Sequence, residues 1–198
     1  MTDTPVRLLL RVSVKLFASL ALVAVLYTLF SSLSNDISEQ PKAAAPLIHS
    51  LEEFTETKPY RIAWEMGNLI LVRRNEGTIA SLQSESEALL DPHSEHARQP
   101  ENLSPLIRSI RPDLFVAFDR GTDIGCPLKW VAPGNREAPL QPWAGGFRDS
   151  CRGSWYDAAG RVLKGQQAGR NLDIPPYRIL EEDLLEIGPY GDNPTPAN

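Results

Sequence analysis

"GTDIGCPLKW" at Gly121–Trp130 and "GGFRDSCRGSWYDAAG" at Gly145–Gly160 decide how this chain is read. Each stretch carries one of its two cysteines, glycines flank both, and neither contains a histidine. Together they look like the two loops of a cofactor site with the ligands removed.

Moving outward to the N-terminus, Leu16–Leu33 (LFASLALVAVLYTLFSSL) is an uncharged apolar run preceded by Arg7, Arg11 and Lys15. No acidic residue lies between Thr4 and Asn35. An apolar helix needs about 20 residues to cross the hydrocarbon core, and extension by Val12–Val14 supplies them. The basic flank should stay in the cytoplasm and send the C-terminal body outside. A retained anchor is favoured over a cleaved signal peptide. The run exceeds a usual signal core, and the small residues Ala43–Ala45 lie far beyond its end. An oxidising compartment on the far side favours disulfides.

The rest reads as a loop-rich globular body. Hydrophobic residues make up 42% and there are 17 prolines. A net charge of −5 and dispersed lysines and arginines argue against nucleic acid. Ser34–Leu47 is polar, then Ala/Pro-rich, and suits a tether. Tyr60–Met66 and Leu69–Arg74 should be strands around a Gly67-Asn68 turn, and Leu114–Phe118 another strand. Thr78–Leu90 suits a short helix, Pro92–Pro105 a polar loop, and from Phe118 to Tyr177 the chain is punctuated by Gly and Pro. The body is expected to be mainly antiparallel β.

This order of elements resembles the Rieske iron–sulfur subunit of the cytochrome bc1 complex, along nearly the whole chain. Family loops read Cys-Thr-His-Leu-Gly-Cys and Gly-Gly-x-x-Cys-Pro-Cys-His-Gly-Ser. Gly121-Thr122-Asp123-Ile124-Gly125-Cys126 keeps the spacing of the first, and Gly145 to Ser154 that of the second. "DPHSEHARQPEN", "RSIRPDLFV", "GRVLKG" and "RNLDIPPYRI" add matches outside the loops. The resemblance implies an antiparallel β-sandwich with an inserted cluster-type subdomain and one N-terminal transmembrane helix. It divides the chain into a cytoplasmic tail and anchor (1–33), a flexible neck (34–48), a Rieske-like β domain (49–190) with a degenerate cluster-binding subdomain (118–164), and a C-terminal tail (191–198).

The departures carry the functional expectation. A Rieske centre holds one iron by two cysteines and the other by two histidines. Those positions here are Gly121, Asp123, Asp149 and Arg152. Cys126 and Cys151 fall where the family places a disulfide, while Gly125, Gly153, Ser154 and Tyr156 match residues around the cluster. No cofactor and no metal are therefore expected. Cys126, Cys151, Asp123 and Asp149 could nominally hold iron, but an oxidised disulfide offers no thiolate and Arg152 adds a fixed cation. A salt bridge from Arg152 to Asp123 or Asp149 across the old pocket is preferred to three exposed side chains. The family's bracing Gly-x-Pro-x-Pro loop is Gly165-Gln166-Gln167-Ala168-Gly169 here, without prolines, and no twin-arginine export signal precedes the apolar run.

Other candidates are weaker. His93 and His96 suit an exposed loop rather than a metal site, and His49 should be solvated in the neck. Trp130, Trp143 and Trp155 should pack the subdomain, unless one is exposed as a docking face. No nucleophile–base pair, phosphate loop or dinucleotide fingerprint occurs, so no independent enzyme and no small-molecule substrate are expected. The expected role is a clusterless, non-redox structural, accessory or regulatory subunit of a bc1-like respiratory complex. It would sit single-pass in the lipid bilayer of the inner (cytoplasmic) membrane, with its β domain periplasmic. The alternative is an electron-transferring subunit of a quinol–cytochrome c oxidoreductase with non-standard ligation.

Overall fold

The computed structural model describes residues 4–38, 44–52, 54, 59–83, 87–181 and 183–188. The proposed tail, 191–198, and part of the neck, 39–43, lie outside them. The described chain forms two units, divided between Ala43 and Ala44.

The first unit is helix α1, Thr4–Ser38. Pro5 sits in its first turn, where a missing N–H costs nothing. The apolar segment Leu9–Ser31 has 23 residues and a mean hydropathy of 2.1. At 1.5 Å per residue it spans about 35 Å, enough to cross a membrane once. Its hydroxyls satisfy themselves: Ser19 Oγ donates to the Leu16 carbonyl and Thr28 Oγ1 to that of Val25, both at 2.9 Å. The helix runs on through Ser38, beyond the apolar run that ends at Leu33, because Ser34–Ser38 (SNDIS) contains no proline or glycine to stop it.

The second unit is mainly β, with three antiparallel three-stranded sheets. The central one orders β2 (Tyr60–Ile62), β3 (Leu69–Arg73) and β4 (Leu114–Phe118). Leu69–Val72 and all of β4 are buried, and both runs are continuously apolar instead of alternating. A second sheet orders β1 (Leu47–Ser50), β9 (Leu184–Ile187) and β8 (Tyr177–Glu181), bringing the two ends of the unit together. The third, β5 (Leu128–Val131), β6 (Gly146–Asp149) and β7 (Trp155–Asp157), lies wholly within the segment between β4 and β8.

Three sequence expectations change in detail. Ile62 pairs with Leu69, so residues 63–68 connect β2 to β3 in place of a two-residue turn. Cross-strand pairing closes there because the Gly67 N–H returns to the Trp64 carbonyl at 3.0 Å. The helix, α2, covers only Glu76–Leu82, capped by Asn75, whose Oδ1 accepts the Thr78 N–H at 2.8 Å. Leu89 instead bridges to Leu163. His49 belongs to β1 and is partly buried, with ring centroids 5.3 Å from Phe54 and 5.4 Å from Tyr60. It is a packing residue and not a solvated neck residue, because β1 pairs with β9 from Leu47 onward.

Arg108 ties the long connection to the core. Its side chain is fully buried, donating to Gln99 Oε1 at 2.7 Å and to the carbonyls of Ala159, Gly160 and Leu172 at 3.0, 3.1 and 2.7 Å. An apolar side chain here would leave these buried acceptors without a donor, at about 1–3 kcal/mol each. Tyr177, also buried, accepts the Ile110 N–H on its hydroxyl at 2.9 Å.

Burial pushes the Tyr177 phenol up from 10.0 to about 12. The folded chain then holds this proton more tightly than the unfolded one, so the associated stability is complete below pH 10 and lost as pH rises towards 12. The stability of the wild type relative to Tyr177→Phe, by chemical denaturation, should therefore fall between pH 10 and 12. A constant difference across that range would refute the assignment.

Candidate functional site

Two loop tips meet at the edge of the β5–β6–β7 sheet. The first, between β4 and β5, closes on itself through the Gly121 N–H, which donates to the Cys126 carbonyl at 2.8 Å. The second joins β6 to β7, where the Gly153 N–H returns to the Asp149 carbonyl at 3.1 Å. Gly125 and Gly153 have φ of +79° and +75°, so these tips turn through a region costly to other residues. A disulfide joins Cys126 to Cys151 with Cα atoms 6.0 Å apart. It spans 25 residues in sequence, a closure that stabilises on the order of 3 kcal/mol through the unfolded chain.

Asp149 organises the second tip. Its Oδ1 accepts the backbone N–H groups of Cys151 and Arg152 at 2.8 and 2.9 Å, a local turn that aspartate favours. Its Oδ2 is buried and has no hydrogen-bond partner among the described residues. That oxygen lies against Gly121 of the other tip, where any Cβ would overlap it. Residues 121 and 149 are therefore complementary: one gives up its side chain to the other's carboxylate.

Arg152 pairs with Asp123, Nε to Oδ2 at 3.2 Å, and its guanidinium makes no ion pair with the buried Asp149. The pair is not shielded: the Arg152 side chain is 49% exposed and that of Asp123 21%. It is a partly exposed link from one tip to the other. The β6–β7 turn places the N–H groups of Cys151 and Arg152 on Asp149 and leaves the guanidinium outward.

Ser154 and Tyr156 are satisfied within the protein. Ser154 Oγ accepts the Ala168 N–H at 3.2 Å. The Tyr156 hydroxyl accepts the Thr122 N–H at 3.1 Å, and Thr122 Oγ1 lies at the same distance. Burial raises the Tyr156 phenol, and the Thr122 hydrogen bonds partly offset this. Thr122 Oγ1 also donates to the Arg170 carbonyl at 2.6 Å, tying the first tip to the stretch before β8. The proline-free loop 165–169 is held as well: beyond the Ala168 bond, Gln166 Oε1 accepts the Trp155 N–H at 3.2 Å. Sequence reading missed Thr122 and Gln166, whose partners (the Tyr156 hydroxyl and the Arg170 carbonyl, and the Trp155 N–H) lie well along the chain from them.

The tryptophans pack. Trp143 and Trp155 meet edge to face at 5.5 Å, and Trp130 meets Phe147 at 5.1 Å. His93 and His96 are exposed, on a turn organised by Asp91, whose carboxylate accepts the N–H groups of Glu95 and His96 at 2.9 and 3.0 Å.

The chain is similar to the ubiquinol-cytochrome c reductase iron-sulfur subunit of Allochromatium vinosum, 30% identical over 159 residues, covering 80% of this chain and 77% of that one. The same subunit of Blastochloris viridis is 32% identical over 151 residues, covering 74% and 72%. The mitochondrial cytochrome b-c1 complex subunit Rieske of Zea mays is 30% identical over 87% of this chain and 55% of its own length. A chain of a hyperthermophilic respiratory Complex III overlays with a TM-score of 0.39 and 15% identity, covering 88% of this chain and 98% of that one. No family model matches. The chain belongs to the Rieske iron–sulfur subunit family of ubiquinol–cytochrome c reductases.

The cluster that this family name implies needs two thiolates and two imidazoles. The donors present do not fit it. Both cysteines of the chain are bonded to each other, and its three histidines, His49, His93 and His96, lie outside the tips. The place a side chain at 121 would need is filled by Asp149.

Two consequences can be measured on the full-length protein by chemical denaturation. Gly121→Ala should destabilise by about 1–3 kcal/mol through overpacking. Most of that should vanish in an Asp149→Gly background, since only residues in contact couple. Additive effects would mean that the two positions do not touch. Arg152→Ala should cost about 1 kcal/mol or less, as an exposed pair does. A double-mutant cycle should couple it to Asp123 and not to Asp149; the reverse pattern would contradict the geometry.

Proposed function

We propose that this chain is a membrane-anchored Rieske-type subunit without an iron–sulfur cluster, acting as a non-redox structural, accessory or regulatory component of a bc1-like respiratory complex. One observation carries the reading: the only two cysteines are consumed by a disulfide between the tips, and a carboxylate occupies the space a ligand would need. Gly121, Asp123, Asp149 and Arg152 are then former ligand positions, and Gly125, Gly153, Ser154 and Tyr156 remain from the scaffold that surrounded the cluster. An electron carrier with unconventional ligation would need thiolates that the disulfide withholds.

The apolar helix is a retained single-pass anchor, and Arg7, Arg11 and Lys15 favour a cytoplasmic N-terminus. The β unit then stands on the periplasmic side of the inner membrane, where disulfides persist. The chain between α1 and β1 links the two, and 118–164 present the tips towards a membrane-protein partner. The relatives are named as reductase and b-c1 subunits, which makes that complex the expected partner here.

Full-length protein, expressed in its membrane with iron supplied, should show no Rieske-type electron paramagnetic resonance after reduction and no acid-labile sulfide. It should co-migrate with haem-containing complexes in mild detergent. A Rieske signal with about two irons per chain would overturn the clusterless reading. Migration away from every haem protein would overturn the partner.

A further inference from the structure

Outside the anchor, the described residues bring one further set of metal-binding atoms together, at the tips themselves. Cys126 Sγ, Cys151 Sγ and a carboxylate oxygen of Asp149 all lie within 4.8 Å of one another. We propose that reduction of the disulfide turns the tips into a mononuclear divalent-metal site, with Cys126, Cys151 and Asp149 as ligands, fitted to zinc. The proposal rests on the clusterless reading, because a cluster would occupy the same tips.

Two independent features point to a ligand here. Zn–S and Zn–O bonds of about 2.3 and 2.0–2.2 Å put tetrahedral ligands about 3.5–4 Å apart. On reduction the two sulfurs must therefore open from bonding distance, while the carboxylate oxygen, within 4.8 Å of both, is already near ligand distance. The second feature is the orphaned oxygen. Asp149 is 2% exposed, and its Oδ2 has no hydrogen-bond partner among the described residues. A buried acceptor left without a partner is uncommon and asks for an explanation. Meanwhile Oδ1 is fixed by the N–H groups of Cys151 and Arg152, the kind of outer support that orients a metal-ligating carboxylate. Two thiolates favour zinc over magnesium or calcium, and water would complete four-coordination.

The redox step balances with a dithiol as reductant. Its two thiols give two electrons and two protons to the Cys126–Cys151 bond, and the donor becomes a disulfide. Zinc then displaces both thiol protons. Cys151 is exposed and Cys126 partly so, which gives the reductant access.

The test uses full-length protein in detergent, reduced with dithiothreitol, desalted without oxygen and titrated with Co2+. A thiolate-to-cobalt charge-transfer band should saturate at one ion per chain, disappear on adding Zn2+, and be missing from the oxidised protein. Asp149→Asn retains the Oδ1 acceptor and should weaken Co2+ binding by about tenfold or more, while Asp123→Asn should change it less than about twofold. Zn2+ should also slow alkylation of both thiols in the reduced wild type, a readout that does not depend on any variant folding. No charge-transfer band in sulfide-free reduced protein, or equal affinity in Asp149→Asn, overturns this site alone. Acid-labile sulfide in the untreated protein would instead overturn the clusterless reading beneath it.

Discussion

Asp149 sits where the two tips meet, and most of the local structure follows from its carboxylate. One oxygen holds the β6–β7 turn by taking two backbone N–H groups, and the other stands against Gly121 of the opposite tip. The fit requires glycine at 121, since any larger residue meets that oxygen. The disulfide then links the same two tips covalently, a few bonds away. In a metal centre the ion draws loops together by neutralising its ligands. Here a turn, a steric match and a sulfur–sulfur bond join the two tips.

The scaffold beneath is independent of how the tips are filled. Arg108 binds three carbonyls from the return path of the insertion, and Thr122 ties the first tip to Tyr156 and Arg170. These contacts involve backbone groups and buried hydroxyls, none of which belongs to the ligand positions. These hydrogen bonds do not use the side chains at positions 121, 123, 149 and 152. Even the loop that has no prolines is retained by Gln166 and Ala168 on β7 and the turn before it.

This separation explains how a chain can belong to an iron–sulfur family and yet lack the donors. Identity near 30% over most of the chain reports core, turns and register. Ligation depends on a handful of atoms, and those contribute little to such a score. Whole-chain similarity and site chemistry are thus separate observations, and the tips here carry Gly121, Asp123, Asp149 and Arg152.

Sequence alone determined what local composition can determine. The unbroken apolar run made a spanning helix, and Leu114–Phe118 emerged as a strand with the bounds expected, because five apolar residues stand between Asp113 and Asp119. The two cysteines' pairing was legible only through the spacing of the family loops. Tertiary structure decided the rest. The β2–β3 connection was fixed by which residues pair, His49 was drawn into a strand by a partner far along the chain, and Arg152 was given to Asp123 on the other tip. Least legible was the match between Gly121 and Asp149, since a missing side chain signals nothing until the group that fills its space is brought beside it by the fold.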